Sequence, residues 1–292
     1  MAARDFRFGA VLFAFGSRAM WQNSARQAED LGYDVIAGVD FLGRPAPFPA
    51  LVSAAEVTTR PRLGTLALNT GLYRPALLAR DIATTDLLVD GRLEPGLGTG
   101  WQRRDYEAAG LRFPSPGERI AHLERTVVEL RSLFADEGYQ PVVRQRPTPP
   151  LLLAGHGDKL LTLAAEYADI VGFSGFDTTA GSTRGDQIGE DAFAERVAFL
   201  RTAAGERFDD LELNLLVQAV GLDGAAPDLT FARMFAPTLS HEALVAQPGV
   251  LTGSAQQIAE TLHRQRETYG VTYYSVTQLD MVAFAKVMDL LR

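Results

Sequence analysis

The sequence predicts a (β/α)8 barrel, and three observations support that prediction. Eight short apolar strand candidates alternate with helix-patterned segments along the whole chain. Most of these strand candidates are continuous apolar runs, which is typical of parallel strands buried on both faces. The length of 292 residues is long for an average domain but ordinary for one such barrel. We therefore expect one barrel domain over residues 1–292.

The first half of the chain carries four strand–helix units. The strand candidates are residues 6–13, 34–39, 63–68 and 92–97. The helix candidates are residues 18–31, 49–59 and 75–90, and then a helix whose apolar stripe is Ile120, Leu123, Val127, Leu130 and Phe134. Gly32 is a stop signal for the first helix, and Pro49 and Pro75 suit the first turns of the next two. A long loop is expected over residues 98–116.

The second half repeats the same unit with longer connections. The strand candidates are residues 151–154, 169–173, 211–220 and 271–276. The helix candidates are residues 159–167, 190–204, 254–269 and 280–291. Residues 135–150 are a proline-rich connector, and residues 222–248 are predicted to be an insertion with short helices. Residues 174–189, rich in Gly, Ser, Thr and Asp, predict a lid or a mobile segment.

The rival architecture is an open, doubly wound sheet. That fold would place a G-x-G-x-x-G turn after the first strand. The sequence there is Phe13-Ala14-Phe15-Gly16-Ser17, which does not fit. Eight strand candidates, rather than five or six, also favour closure into a barrel.

Composition excludes several classes of function. Hydrophobic residues make up 47% and charged residues 22% of the chain, a globular balance with no stretch near 18 apolar residues. The absence of cysteine excludes disulfides, thiolate zinc sites and cysteine nucleophiles. A net charge of -8 argues against binding to nucleic acid or to an anionic membrane. With no apolar signal region at the start, we expect a cytoplasmic protein.

Residues that follow the strands of such a barrel meet at one mouth, where active sites lie. Gly98, Thr99 and Gly100 follow the fourth strand, and a turn without bulky side chains would let a flat ring approach the backbone. An ordinary connecting turn would look the same. Trp101 comes next, and it would either line an aromatic pocket or pack beneath the long loop.

Two further strand ends carry candidate groups. Ala154, Gly155, His156 and Gly157 lead into a helix, whose exposed N–H groups could bind a phosphate; a plain glycine turn with an incidental histidine is the alternative. Asp40 ends the second strand and could orient a substrate or move a proton. Alternatively, Asp40 has only a structural role, in which it caps a loop or pairs with Arg44.

Common metal and hydrolase signatures are missing. The sequence has no H-E-x-x-H and no paired histidine ligands at helical spacing, so we expect no metal site. The absence of G-x-S-x-G counts against a nucleophile-elbow hydrolase. Arg103, Arg104 and Arg119 flank the long loop, where one or two of them could face an anionic ligand.

Several motifs together resemble the luciferase-like flavin and deazaflavin oxidoreductases. The first group is R-L-G-T at residues 62–65, Y-R-P-A-L-L-A-R at residues 73–80 and D-G-R-L-E-P-G-L-G-T-G-W at residues 90–101. The second group is Y-E-A-A-G at residues 106–110, P-G-E-R at residues 116–119, P-P-L-L-L-A-G-H-G at residues 149–157, A-A-E-Y-A-D-I-V at residues 164–171 and L-T-G-S at residues 251–254. The resemblance covers nearly the whole chain and is closer to the F420-dependent branch.

The resemblance implies a barrel that holds coenzyme F420, or FMN, at its mouth. It places a non-prolyl cis peptide at Leu66-Ala67, behind the ring, with Asn69 just beyond it. The turn formed by residues 98–101 would border the ring, and residues 154–157 would hold the phosphate of the tail. Relatives often form homodimers through helices near strands two and three. Candidate residues for that surface are Leu51, Val52, Leu77, Leu78 and Leu88, for which packing in the core is an equally good use.

Two departures from the family pattern bear on the substrate. Relatives often have Asp-His after the second strand, where this chain has Asp40-Phe41, and the sugar-phosphate dehydrogenases carry Glu where Trp101 stands. Sugar-phosphate oxidation by that machinery is therefore not expected. The aromatic residues Phe13, Phe15 and Phe41 would instead suit a small apolar or aromatic substrate.

The resulting hypothesis is hydride transfer from reduced F420 to a C=C or C=N bond. Asp40 and Trp101 are the candidate catalytic residues, with Asp40 or a water supplying the proton. One alternative is an FMN-dependent monooxygenase that activates oxygen. A second is a barrel that binds a ligand without catalysis.

Overall fold

Eight parallel strands close into a barrel in the computed structural model, which describes residues 4–174 and 189–292. The strands are β1 (Arg7–Leu12), β2 (Val35–Gly38), β3 (Arg62–Thr65), β4 (Leu68–Asn69), β5 (Leu93–Glu94), β6 (Gly96–Gly98), β7 (Leu152–Ala154), β8 (Ile170–Phe173), β9 (Glu212–Val217), β10 (Ala219–Leu222), β11 (Val250–Gly253) and β12 (Val271–Thr277). The third barrel strand is β3 with β4, and the fourth is β5 with β6. Because β3 pairs with β5 and β4 with β6, the ring closes, which confirms the predicted fold class.

Helices cover the outside of the barrel. They are α1 (Arg18–Asp30), α2 (Pro47–Ala55), α3 (Pro75–Leu88), α4 (Arg103–Ala108), α5 (Pro116–Ala135), α6 (Asp158–Tyr167), α7 (Glu190–Ala204), α8 (Thr230–Phe235), α9 (His241–Val245), α10 (Ala255–Tyr269) and α11 (Met281–Met288). Local chemistry fixes several ends. Ser115 with Glu118 and Ser254 with Gln257 form capping boxes at the starts of α5 and α10.

The structure differs from the sequence prediction in two places. The loop predicted over residues 98–116 contains α4, whose six residues are too few to give a periodic signal. The strand predicted over residues 211–220 splits after Val217, because β10 leaves the barrel and pairs with β11 in a separate ribbon. The predicted insertion does contain short helices, α8 and α9. The predicted lid at residues 174–189 lies outside the described residues except at its two ends.

Side chains alternate along the barrel strands between the lumen and the helical layer. In β1, Phe8 belongs to the core beneath the helices, whereas Val11 belongs to a small apolar cluster with Ala37 and Leu216 in the lumen. Tyr273 fills the lumen lower down, where its ring lies against Gly9 and leaves no room for a side chain at that position. The lumen is thus packed below its mouth, as in other barrels of this type.

The lower end of the lumen contains an ion-pair cluster. The Glu94 carboxylate accepts hydrogen bonds of 2.8 and 2.9 Å from Arg7 and lies 3.2 Å from the Arg62 Nε atom. Arg7 also lies 3.3 Å from Glu212 and stacks on the Tyr273 ring at 4.3 Å. These residues stand at or near the starts of strands, opposite the mouth.

Two of the five residues expected on a dimer surface are core residues. Leu51 and Leu78 are fully buried, because they lie on the faces of α2 and α3 that pack on the barrel. Leu77 and Leu88 are 51% and 56% exposed. In the part of the chain that the structure describes, no helix is both long and apolar enough to cross a bilayer.

Candidate active site

A cavity of about 780 Å³ opens at the carboxyl ends of the barrel strands. Strand ends form its floor, and five helices, α4, α5, α6, α7 and α8, contribute to its walls. Most of the site residues predicted from the sequence line it: Asp40, Phe41, Leu66, Ala67, Asn69, Gly98, Thr99, Gly100, Trp101, Ala154, Gly155, His156 and Gly157. The mouth of the barrel therefore brings together residues that are far apart in the chain.

Asp40 is a buried acid in the cavity wall. Its Oδ2 atom accepts a 2.9 Å hydrogen bond from the Asn69 N–H group, and Tyr73 donates a second hydrogen bond to the carboxyl group. Burial and the nearby Asp105 outweigh these donors and raise the pKa of Asp40 to about 6. The pairing with Arg44 considered above is not formed. A carboxyl group with this pKa can both hold and release a proton near neutral pH.

Asn69 connects several parts of the site. The third barrel strand is interrupted by a cis peptide at Leu66-Ala67, at the position that the resemblance implies. Just beyond it, the Asn69 Oδ1 atom accepts hydrogen bonds from Gly71 N–H (3.1 Å) and the Tyr106 hydroxyl (3.0 Å). The Gly71 N–H can only donate, so the carboxamide orientation is fixed. The Asn69 Nδ2 atom is buried and has no partner among the described residues.

The glycine turn after the fourth strand is held from two sides. Thr70 donates a 2.9 Å hydrogen bond to the Gly98 carbonyl, and the Tyr106 hydroxyl lies 3.2 Å from the Thr99 carbonyl. Gly100 has a φ of 66°, and a Cβ atom there would lie 1.9 Å from the Asn69 Oδ1 atom. Only glycine satisfies both conditions, so this turn is built to keep its backbone open and close to Asn69.

Aromatic side chains form the outer wall of the cavity. Trp101 lies against Phe235 with ring centroids 5.3 Å apart, and Phe235 meets Phe231 edge-on at 5.2 Å. Both phenylalanines belong to α8, so the insertion folds back over the mouth and contacts the turn after the fourth strand. Of the two alternatives for Trp101, the structure thus supports the aromatic pocket.

The turn before α6 forms the opposite wall. His156 accepts a 2.9 Å hydrogen bond from the Ser174 N–H group through Nε2, so its ring carries its proton on Nδ1. Gly157 precedes the first turn of α6 and provides no side-chain cap, which leaves helix N–H groups facing outward. Asp158 in that turn pairs with Arg196, and the exposed Lys159 follows.

Two aromatic residues proposed for substrate binding lie elsewhere. Phe13 and Phe15 do not line the cavity. The Phe13 N–H group lies 3.3 Å from the Gln278 Oε1 atom, and the Phe13 ring lies 6.0 Å from the Arg44 guanidinium. Phe15 is 52% exposed. The first strand-end loop therefore turns away from the mouth, and Phe41 is the only one of the three that faces it.

The structure also places residues in the cavity lining that were not among the predicted site residues. Gln102 and Asp105 line the cavity from the start of α4, and both are more than nine-tenths buried. Arg119 lines it from α5, with its guanidinium 4.5 Å from the Phe113 ring centre. Phe231 and Phe235 come from the insertion. The position of Arg119 beside the long loop was a sequence signal for a site residue. The other four residues lie in segments without a recognisable sequence pattern.

Comparison with known proteins places the chain in a family. Residues 17–220 match the luciferase-like monooxygenase family. Because this match covers more than half of the chain, the protein belongs to that family.

Two relatives with assigned names share part of their length with this chain. The F420-dependent glucose-6-phosphate dehydrogenase of Kribbella flavida is 33% identical over 224 residues, 70% of this chain and 65% of that protein. A protein of the same name from Amycolatopsis mediterranei is 28% identical over 226 residues, again 70% and 65%. The chain thus spans slightly less than two thirds of the length of these relatives.

Solved structures share the fold at low sequence identity. The coenzyme F420 dependent tetrahydromethanopterin reductase of Methanopyrus kandleri has a TM-score of 0.75 at 16% identity, covering 99% of this chain and 100% of that one. A monooxygenase from Streptomyces bottropensis has a TM-score of 0.71 at 22% identity, covering 97% of each chain. At these identities the likeness establishes the fold alone.

Proposed function

We propose that this protein is an F420-dependent reductase that transfers a hydride to a C=C or C=N bond of a small, largely apolar or aromatic molecule. The observation that carries the proposal is the pairing of a buried acid, Asp40, with an aromatic wall around one cavity at the barrel mouth. The names of the relatives support F420 rather than FMN as the cofactor. The protein would act as a small-molecule enzyme.

The cavity fits a flat ring with an anionic tail. The open turn at Gly98 and Gly100 and the bulged strand at Leu66-Ala67 would border the ring, and the unpartnered Asn69 Nδ2 atom marks a missing hydrogen-bond acceptor in this wall. Residues at the start of α6 would hold the phosphate of the tail, with the backbone N–H groups of Gly157 and the first turn of α6 as donors and Lys159 as a nearby charge.

Reduction needs one hydride and one proton, and the protein supplies the proton. When bound, reduced F420 provides the hydride. Asp40 lies in the cavity wall with its carboxyl group oriented by Asn69 and Tyr73, so it can donate a proton to the atom next to the reduced carbon. The aromatic wall of Trp101, Phe231 and Phe235 excludes water and orients the substrate. The chain has neither the histidine nor the glutamate that the sugar-phosphate relatives use, and this wall replaces a polar sugar site.

Cofactor titration is the first test. Purified protein should bind F420 with a micromolar or lower Kd, measured by quenching of its fluorescence, and bind FMN at least tenfold more weakly. Tighter binding of FMN would replace this proposal with the flavin monooxygenase. Binding of neither cofactor would favour the alternative of a barrel that binds a ligand without catalysis.

The two lysines of the chain provide a matched test of the tail site. Lys159→Gln should weaken F420 binding about threefold, because one exposed charge near a bound anion contributes roughly 0.5–1 kcal/mol. Lys286→Gln, on α11, should have no effect. Equal effects of both substitutions would show that the start of α6 does not bind the cofactor tail.

Catalysis is tested with Asp40→Asn. The substitution should lower kcat about 100-fold, the usual size of general acid catalysis, while the Kd of F420 stays within twofold. An unchanged kcat would assign the proton to water instead.

A further inference from the structure

The wall of the cavity nearest to strand two contains two acids and no cation between them. Asp40 is 7% exposed and Asp105 is 2% exposed. Among the described residues, Asp105 has one ion-pair partner, the exposed Arg104 at 4.0 Å, and Asp40 has none. Buried carboxylates in folded proteins normally have a cationic partner or a bound ligand, because an uncompensated buried charge is costly.

The two acids belong to one connected structure. Asp40 ends the second strand, and two residues later the Leu42 N–H group donates a hydrogen bond to Asp105 on α4. Asp105 contributes, after burial, to the raised pKa of Asp40, so the two carboxylates are close enough to repel each other. The loop after β2 and the start of α4 therefore hold them on the same side of the cavity.

A third polar group in this wall lacks a partner. Gln102 is 7% exposed, lines the cavity, and has a buried Nε2 atom with no hydrogen-bond partner among the described residues. It is the residue just before α4, with an extended backbone, and Asp105 lies in the first turn of that helix; both side chains line the cavity. A carboxamide can present either its amino group or its oxygen after rotation, so Gln102 can also accept a hydrogen bond from an N–H group of a ligand.

Among the described residues, no Lys or Arg side chain that lines the cavity forms an ion pair with Asp40 or Asp105, although the buried Nε atom of Arg119 has no hydrogen-bond partner. Arg196 pairs with Asp158 on the α6 side of the cavity. Arg119 donates a 2.8 Å hydrogen bond to the Pro114 carbonyl and stacks on Phe113. Lys159 lies beside α6 and is exposed. The remaining lining of the cavity includes the aromatic rings of Trp101, Phe231 and Phe235, whose faces attract cations.

We propose that the substrate carries a basic nitrogen at its reducible bond, in a cyclic or aromatic-linked imine that Asp40 protonates and that Asp105 and Gln102 hold as the iminium cation. This inference rests on the proposed function and selects the C=N bond over the C=C bond. An imine nitrogen takes a proton from Asp40, and the carbon of the resulting iminium accepts the hydride. The C=N π electrons become the lone pair of the amine product, reduced F420 is oxidised, and Asp40 recovers its proton from solvent.

The sharpest test compares two ligands that differ in charge but not in shape. Tetrahydroisoquinoline is a cation at neutral pH, and isochroman is its neutral oxygen analogue. Isothermal titration of the wild-type protein, with and without F420, should give a Kd at least tenfold lower for the cation. Equal binding, tighter binding of isochroman, or no binding of either ligand would overturn the proposal, and none of these results depends on a variant that might not fold.

Matched variants locate the effect. Asp105→Asn keeps an acceptor for the Leu42 N–H group, and it should remove most of the tenfold preference. Glu107→Gln makes the same change in charge on the exposed face of α4, and it should leave the preference intact. Equal losses in both variants would indicate a general charge effect and contradict the assignment of Asp105.

Turnover separates this inference from the proposed function. With reduced F420, the protein should reduce dihydroisoquinoline with a kcat/KM at least tenfold above that for coumarin, a neutral C=C substrate of similar size. Reduction of coumarin alone would overturn the inference and leave the reductase intact. Failure to bind F420, with the ligand preference preserved, would overturn the reductase and leave the cation site.

Discussion

At the lower end of the barrel lumen Glu94 lies between two guanidinium groups, whereas at the mouth Asp40 and Asp105 face a cavity with no such groups between them. Both ends are buried: Glu94 is 2% exposed, and Asp105 is also 2% exposed. The lower cluster pairs its acid with Arg7 and Arg62 at 2.8 and 3.2 Å. Burial is therefore common to both ends, and the difference lies in the partners: Glu94 has two cationic partners, whereas Asp40 has only hydrogen-bond donors and Asp105 has one exposed cation.

Position along the strands explains the contrast. The lower acids stand near strand starts, where Tyr273 packs against Gly9 and separates them from the mouth. The upper acids stand after strand ends, on loops whose shape the barrel does not dictate. The first arrangement pairs its buried charges within the fold, whereas the second leaves two acids beside the cavity without a buried cationic partner.

The largest expected effect of a single substitution is at the lower end. Glu94→Gln should lower the free energy of unfolding by about 3–5 kcal/mol, because it leaves the partly buried Arg62 without a carboxylate partner and Arg7 with Glu212 alone. Urea denaturation measures this directly. Asp81→Asn, which breaks a surface pair with Arg80, should change stability by less than about 0.5 kcal/mol.

The folded fraction of the Glu94 variant should bind F420 as the wild type does. A loss below about 1 kcal/mol would mean that the lower cluster is not a structural element, and the contrast between the two ends would disappear.

Substitution of Asp40 should instead increase the free energy of unfolding. Burial raises its pKa from the usual value to about 6, so the folded state holds this proton more tightly than the unfolded state. The contribution of Asp40 protonation to the free energy of unfolding is therefore fully present below about pH 4. It is lost as the pH rises through about 6. Asp40→Asn, which keeps an acceptor for Asn69, should be more stable than wild type by up to about 3 kcal/mol at pH 8, with little difference at pH 4.

Asp86 provides the matched control, because it is a fully buried acid with three donors. It accepts hydrogen bonds from the N–H groups of Arg144 and Gln145 and from the Gln145 side chain, at 2.7 to 2.9 Å. Asp86→Asn would point an amino group at a donor and should destabilise the protein by about 1–3 kcal/mol at pH 8. Denaturant titrations of both variants at pH 4 and pH 8 measure this difference. If Asp40→Asn were less stable than wild type at pH 8, the hydrogen bonds to the Asp40 carboxylate would outweigh the cost of its burial.

The sequence predicted the barrel because strand and helix signals recur eight times, and the glycine turns because barrel topology places strand ends together. It missed Gln102 and Asp105 because α4 is one and a half turns long and has no periodic pattern. Phe231 and Phe235 depend on how an insertion folds back over the mouth, a tertiary contact that leaves no local signal. Phe13 does not line the cavity, and its N–H group contacts Gln278, 265 residues away, a long-range contact that leaves no local signal.

The smallest expected effect tests how closely the mouth is built around Asn69. Gly100 and Gly110 have similar backbone conformations, with φ values of 66° and 69°. Alanine at either position has the same left-handed strain, about 1 kcal/mol. Only at position 100 would the new methyl group meet the Asn69 carboxamide, whereas nothing lies within 4 Å of it at position 110.

Gly100→Ala should therefore cost about 1–3 kcal/mol more than Gly110→Ala in urea denaturation, and it should weaken F420 binding while Gly110→Ala does not. Equal costs in the two variants would mean that Asn69 can move aside. In that case its hydrogen bonds to Gly71 and Tyr106 would not fix the cavity wall, and its unpartnered Nδ2 atom would no longer mark a prepared contact for the cofactor. The difference in stability between Gly100→Ala and Gly110→Ala thus measures how rigidly Asn69 is held at the mouth. The burial and charge of Asn69 do not give this information.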